Sequence, residues 1–224
     1  MEHVLGTPVS ESPELARRAA AWAGRDLSPE QLGMLSRYTD WLRSEAIPAG
    51  GLGPREGERL WSRHLGDSLL FGGGWRDDPP GELLDVGTGV GVPGIPLAIM
   101  WPQTVVTLLD RGGRRVRLLY RVVGMLGLAN VVIAQGDALA VADEWEGMVV
   151  RGALRAPEFV GLAARLLQPG GTAVLGLSRR AQPPERTTDL MEIGRTLGLE
   201  PELVQVPADI LDAPAWLLIM RAGA

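Results

Sequence analysis

The chain has 224 residues, 46% of them hydrophobic and 22% charged, which fits one domain with an attached substructure better than two cores and excludes disorder as the main state. With no cysteine and only His3 and His64 as histidines, there is no disulfide framework, no thiolate zinc site, no cysteine nucleophile and no histidine-rich metal site, so no metal is expected. The formal charge is −5 and all 22 basic residues are arginine, which excludes Schiff-base and P-loop lysine chemistry and argues against indiscriminate nucleic-acid binding, while leaving room for a local basic patch.

No apolar run reaches the ~20 residues of a spanning helix, and Glu2 and His3 precede only a short apolar dipeptide without a basic head. The expectation is a cytoplasmic protein without membrane contact. Ser28-Pro29-Glu30-Gln31 predicts a capped helix start, and Leu32, Leu35, Tyr38 and Leu42 then recur at helical spacing. The Pro/Gly stretch from Pro48 to Pro54 predicts a loop, and a second amphipathic segment from about Arg55 to Leu70 carries Leu60, Trp61, Leu65 and Leu69 on one side. Residues 1–80 therefore read as a helical region packed on a sheet formed by residues 81–224.

The predicted strands are Glu82 to Val86, Thr104 to Leu109, Val131 to Ala134, Met148 to Val150, Thr172 to Leu177 after the Pro169-Gly170-Gly171 turn, Leu203 to Val206 and Trp216 to Met220. Helix-length segments separate the first five; between the second and third, Val116, Leu119, Val123 and Leu126 mark a buried stripe. That order predicts right-handed crossovers and an α/β fold with a mostly parallel seven-stranded sheet, its last two strands suiting a closing antiparallel pair.

The first strand ends at Asp85-Val86 and runs into Gly87-Thr88-Gly89-Val90-Gly91. Glycines at every second position allow positive φ and close approach of backbone to a ligand at a helix start. The spacing is not that of dinucleotide folds. Asp110, at the tip of the second strand, suits a ribose diol, and Asp137 ends the third-strand loop. Two readings stand: binding of a nucleoside cofactor, or glycines that only tighten a turn.

Asp85-x-Gly87-x-Gly89-x-Gly91 followed by the strand-terminal Asp110 resembles the class I S-adenosylmethionine methyltransferases, whose fold is Rossmann-like. The runs LLDVGTGVGVPGIPLAIMWP and VTLLDRGGRRVRLL are similar to the ribosomal small-subunit RNA methyltransferase G family, also called glucose-inhibited division protein B, and GLGPREGERLWSRHLGDSLL resembles its actinobacterial branch. The resemblance spans roughly residues 30 to 180. It implies methyl transfer from S-adenosylmethionine to N7 of one guanine in small-subunit (16S) rRNA, with the rRNA or the small ribosomal subunit as partner. It also implies that Asp85, Gly87, Thr88, Gly89 and Gly91 hold the methionine and ribose portions, that Asp110 takes the ribose, and that Asp137 and Ala138 form the adenine-contacting loop. Arg63, His64 and Arg151 become the candidate catalytic residues. The chain departs from the family where Ser-Arg-Ala is usual, having Val150-Arg151-Gly152-Ala153, and where Lys-Gly is usual, having Leu177-Ser178-Arg179.

Guanine N7 carries a lone pair and no proton, so its methylation needs in-line positioning more than a general base. Arg151 can donate to O6 and N7 of the base or to a phosphate, or be a solvated strand-end residue. His64 reads as a packed histidine or a functional one, and Arg63 as pocket lining or a surface ion pair. Arg111, Arg114, Arg115, Arg117 and Arg121 form the one marked basic concentration, with Arg114, Arg117 and Arg121 on one helical face; this is an RNA-phosphate surface or an ordinary solvated one. Two rivals remain: a methyltransferase of the same ancestry acting on a small-molecule acceptor, and a non-catalytic protein that retains the cofactor. Labelling of small ribosomal subunits against low-molecular-weight acceptors separates the first, and cofactor binding without consumption marks the second.

Overall fold

In the computed structural model, residues 11–76 and 78–223 are described; His3 and the chain start, which carry the expectation about targeting, lie outside them. Helix α1 (Pro13–Trp22) begins at an extended Ser12 with proline at its first position and buries Leu15, Ala16, Ala19 and Ala20. Its stripe is mostly alanine, which is why hydropathy spacing does not announce it. Helix α2 (Pro29–Trp41) has the predicted capping box: Ser28 Oγ accepts from the Gln31 amide at 3.2 Å and Gln31 Oε1 accepts from the Ser28 amide at 2.9 Å. Gln31 Nε2 also donates to the carbonyl of Ile99 at 2.7 Å, so the cap residue ties α2 to the body of the protein. Gln31→Ala should therefore cost about 1–3 kcal/mol, since it removes a cap and leaves a carbonyl unpaired, and the urea midpoint should fall accordingly.

The predicted second helix is not one regular helix. It is a 3₁₀ turn (Glu56–Arg59), a π turn (Trp61–Gly66), α3 (Asp67–Leu69) and a further 3₁₀ stretch (Leu70–Trp75). Gly66 sits where a Cβ would lie 2.9 Å from the Trp61 carbonyl and 2.7 Å from Leu211, so the widened turn is wedged tightly against its surroundings. Leu60, Trp61, Leu65 and Leu69 are buried as expected.

Strands β1 (Glu82–Val86), β2 (Val105–Asp110), β3 (Val131–Gln135), β4 (Trp145–Val150), β5 (Leu167–Ser178), β6 (Leu199–Val206) and β7 (Ala215–Ala222) form one seven-stranded sheet in the order β3-β2-β1-β4-β5-β7-β6. The first five pair in parallel, and β7 runs antiparallel between β5 and β6. β5 starts before its predicted turn: Leu167 pairs with Trp145 and Thr172 with Gly147, so residues 168–171 are a bulge inside the ladder. β6 starts four residues before its predicted first residue, because Glu200, Pro201 and Glu202 hide an edge strand, where proline and charge are tolerated.

Between the strands lie α4 (Gly94–Met100), α5 (Gly113–Leu126), α6 (Ala156–Leu166), α7 (Thr187–Thr196) and the short α8 (Ala208–Leu211). Leu83, Val106 and Val174 face one apolar layer with Leu15, Leu35, Leu69, Ile95 and Leu119, so the helices before β1 share a core with α4 and α5. Leu84, Met148 and Val150 face the other layer, against Phe159, Leu162 and Leu190. The strand order reverses between β1 and β4, and ligands of open α/β sheets bind outside the carboxyl ends of strands at such a switch point.

Candidate active site

The glycine loop leaves β1 at that switch point. Gly87 has φ +68, and a Cβ there would lie 2.3 Å from that of Ala153, so only glycine lets the β1 and β4 loops touch. Asp85 is fully buried and accepts from Thr88 Oγ1 at 2.5 Å and the Gly94 amide at 2.7 Å, binding the loop to the start of α4 from beneath. Burial pushes its pKa up to about 6 despite those hydrogen bonds, and its Oδ1 has no partner among the described residues. Tyr38 of α2, buried and held protonated by that burial, donates to the Val90 carbonyl at 2.9 Å. The helical region thus fixes the loop from the other side.

A cleft of about 520 Å³ opens above this loop, lined by Gly87, Asp110, Arg115, Asp137, Ala138, Leu139 and Leu154 among others. Asp110 is nearly buried, and its carboxylate accepts from the Gly89 amide at 3.0 Å and the Gly112 amide at 2.7 Å. Asp137 caps the Leu139 amide at 3.0 Å. Arg165 of α6 then donates to the Ala138 carbonyl at 3.0 Å, the Leu139 carbonyl at 3.4 Å and the Val141 carbonyl. Of the residues expected at a cofactor, the structure brings Gly87, Asp110, Asp137 and Ala138 to the cleft wall; Asp85, Thr88 and Gly91 are buried, and Gly89 acts through its amide.

A second cleft, of about 570 Å³, meets the first at Gly152, which lines both. Its wall carries all three candidate catalytic residues, Arg63, His64 and Arg151, together with Glu56, Asp67, Arg179, Arg180 and Trp216. Arg151, at the end of β4, donates to the Arg63 carbonyl at 2.8 Å, lies 3.1 Å from His64 Nδ1 and pairs with Asp67 at 3.5 Å. A guanidinium has no acceptor, so His64 Nδ1 must be the unprotonated nitrogen, and Nε2–H donates to Glu56 at 3.0 Å. Burial first, and then the Arg151 charge, push the His64 pKa down to about 4. Burial also raises the pKa of Asp67 against the pull of Arg151 and Arg179. Burial works against ionised Glu56 too, but the hydrogen bond from His64 and the nearby Arg59 prevail and lower its pKa.

The neutral His64 has a stability consequence. Its folded pKa lies below the ordinary histidine value of 6.5, so the unfolded chain binds the extra proton first as pH falls. The stabilisation is complete above pH 6.5 and lost toward pH 4, a loss of roughly 3 kcal/mol. The urea midpoint of wild type should fall between pH 7 and pH 5 more than that of His64→Gln. Asp85 contributes with the opposite sign, losing stability as pH rises toward 6, and does so equally in both proteins. Equal falls in the two proteins would show that His64 titrates normally.

Motif reading missed Glu56, Asp67 and Arg179, which line the second cleft, and Arg165, which holds the loop after Asp137. Arg179 donates to the carbonyls of Ser62 at 3.0 Å and Leu211 at 2.7 Å and lies 4.0 Å from Asp67. Its position just after β5, where the family places Lys, is the signal that points to it.

The five clustered arginines are not equivalent. Arg121 pairs with Glu45 and Arg115 with Asp110, whereas Arg111, Arg114 and Arg117 have no acidic partner among the described residues. Among the described residues, no helix is long and apolar enough to cross a membrane and no group of three or more His, Asp or Glu could hold a metal ion.

A parallel sheet with one antiparallel strand next to its edge, a glycine loop at the switch point and a strand-terminal acid on the cleft define a class I S-adenosylmethionine-dependent methyltransferase. The family model described as rRNA small subunit methyltransferase G matches residues 31–185. The ribosomal RNA small subunit methyltransferase G of Mycobacterium marinum is 33% identical over 198 residues, covering 86% of this chain and 85% of that protein. The chain belongs to the rRNA small subunit methyltransferase G family. Its fold is shared more widely. The precorrin-6y C5,15-methyltransferase of Geobacter metallireducens aligns with TM-score 0.54 and 15% identity over 70% of this chain and 87% of that one. Aeropyrum pernix fibrillarin, solved with S-adenosyl-L-methionine natively bound, gives TM-score 0.53 and 20% identity over 70% of this chain and 73% of that one.

Proposed function

We propose that this protein methylates N7 of one guanine in small-subunit rRNA, acting in the cytoplasm on the small ribosomal subunit. The observation that carries the reading is the meeting of the two clefts at Gly152, with the arginine of β4 on the wall of the second. The residues of the first cleft fit S-adenosylmethionine: a glycine backbone that a side chain would block, a carboxylate for the ribose diol, and the small or apolar Ala138, Leu139 and Leu154 for an adenine face.

When bound, the cofactor supplies an electrophilic methyl group on a sulfonium. Gly87 admits it close to the backbone, Asp110 orients its ribose, and the 137–139 loop flanks its adenine. Arg151 donates to the Arg63 carbonyl, lies within hydrogen-bond distance of His64 Nδ1 and forms an ion pair with Asp67 at 3.5 Å, and its remaining N–H donors can serve the O6 and N7 edge of guanine or a phosphate. The contacts around Arg151 fix its direction, and a donor held in one direction supports the positioning that attack by an already unprotonated N7 needs. Single-turnover labelling of small subunits from a strain lacking the enzyme, with nucleoside analysis of the product, tests this. Methyl at guanine N7 is expected; labelling of low-molecular-weight acceptors alone, or cofactor binding without transfer, would overturn it.

Two further outcomes follow from the reading. Arg165→Met should raise the KM for S-adenosylmethionine by about three- to tenfold with little change in kcat, because three carbonyl contacts that hold the adenine loop disappear. Arg165→Lys should recover part of that. Arg114→Gln with Arg117→Gln should weaken RNA binding and reduce the slope of log affinity against log salt by about one to two, as phosphate contacts and their counterion release are lost. A wild-type salt slope in that double variant would make this face an ordinary solvated surface.

A further inference from the structure

Asp110 has a full complement of donors before any ligand arrives. Its Oδ2 accepts from the Gly89 amide at 3.0 Å and from Arg115 Nη1 at 3.2 Å; its Oδ1 accepts from the Gly112 amide at 2.7 Å and lies 3.4 Å from the same Nη1. A carboxylate offers about four lone-pair positions, two on each oxygen. The two amides belong to the backbone of the glycine loop and of the turn into α5, and cannot leave without unfolding it. Arg115 can leave, because its side chain is 54% exposed while that of Asp110 is 1% exposed.

Arg115 also stands between two spaces. It lines the 520 Å³ cleft beside Asp110, and it lines a neighbouring concavity of about 300 Å³ formed with Gly50, Gly51, Arg111, Arg114 and Leu118. Arg111 and Arg114 have no acidic partner among the described residues, so this concavity presents cations without internal neutralisation. A third guanidinium turned toward it completes a set suited to a phosphodiester.

We propose that Arg115 competes with the cofactor's ribose for Asp110, and that its release into the Arg111–Arg114 concavity couples cofactor binding to RNA-phosphate binding. This rests on the reading that Asp110 takes the ribose and that the arginine face takes RNA. Two diol hydroxyls replace the donors of Arg115 on the carboxylate, and the displaced guanidinium becomes available to a phosphate. Conversely, a phosphate that holds Arg115 clears Asp110 for the ribose. Linkage requires the two effects to be equal in binding free energy.

The sign of the mutational effect is opposite to that of an ordinary site residue. Removing Arg115 removes a competitor, so Arg115→Gln should bind S-adenosylhomocysteine more tightly, by about two- to tenfold, the range set by a half-exposed ion pair. A residue with only a structural role would leave that affinity unchanged or lower it. Arg114→Gln, which removes the same charge nearby without touching Asp110, should leave it unchanged.

The test uses calorimetry with S-adenosylhomocysteine, which cannot react, and fluorescence anisotropy with a labelled mixed-sequence RNA dodecamer, each measured with and without the other ligand. In wild type, saturating S-adenosylhomocysteine should strengthen dodecamer binding by about two- to tenfold. In Arg115→Gln this enhancement should vanish while nucleoside affinity rises; in Arg114→Gln the enhancement should persist on a weaker RNA baseline. Equal or weaker S-adenosylhomocysteine binding by Arg115→Gln, or an enhancement of wild-type size in that variant, overturns the proposal. Asp110→Ala separates the two levels: if it loses nucleoside affinity while Arg115→Gln is unchanged, the ribose reading survives and the competition does not. If Asp110→Ala binds like wild type, both fall.

Discussion

Arg151→Ala should lower single-turnover methylation of small ribosomal subunits by one to a few powers of ten while leaving S-adenosylmethionine affinity within about twofold, because ~1–3 kcal/mol of base-orienting hydrogen bonding is lost in the transition state. The split is the informative part. Arg151 lines the second cleft but not the first, so a purely local loss should appear in turnover and not in cofactor binding. Arg151→Lys should recover only part of the rate, since an ammonium keeps the charge near Asp67 but cannot hold the Arg63 carbonyl, His64 and the acceptor at once. A fall in cofactor affinity that matches the fall in rate would instead mean that Arg151 holds the glycine loop, through the electrostatic reach it has to Asp85. Unchanged turnover would leave it a strand-end residue with no part in the reaction.

The sequence is most readable where local rules and tertiary structure agree. The capping box at Ser28, the strand Glu82 to Val86 and the glycine spacing after it are short-range signals, and each stands in the fold as read. The failures have physical causes. Helix α1 buries alanines, which carry little hydropathy contrast, and the first residues of β6 are polar because they lie on a sheet edge. The segment from Arg55 onward has a helical pattern of leucines, yet its windings alternate because glycines at 66, 72, 73 and 74 let it press against Leu211, Met100, Trp22 and Val174. Those contacts are long-range, and no spacing rule contains them.

The same distinction holds within the site. Asp110 and Gly87, on the wall of the first cleft, are legible from motif spacing because the backbone that places them is local. The ring of partners around Arg151 is not, since Glu56, His64 and Asp67 come from one segment, Arg151 from the end of β4 and Arg179 from the end of β5. Arg121, which shares a helical face with Arg114 and Arg117 in the sequence pattern, is paired with Glu45 from the segment after α2. A one-dimensional charge count has no access to that neutralisation.

Asp110→Ala should weaken S-adenosylmethionine binding by about tenfold, toward the low end of the ~1.5–3 kcal/mol that a charged acceptor contributes. The low end is expected because the wild-type carboxylate is already satisfied: the ribose gains its acceptor only by displacing Arg115, whose contacts at 3.2 and 3.4 Å are lost in exchange. The substitution also strips the Gly89 and Gly112 amides of their acceptor, so the thermal midpoint must be measured beside the calorimetric affinity. With the fold intact, the loss should be largely enthalpic, as two hydroxyl contacts to a charged group disappear. It should grow when Arg115 is already Gln, if the ribose and the guanidinium share one carboxylate only through competition and not through a common loop movement; the sign of that double-mutant coupling energy decides between them. Wild-type affinity in a folded Asp110→Ala protein would remove the residue from the cofactor's site, and the strand-terminal acid would then serve only to join the glycine loop to the start of α5.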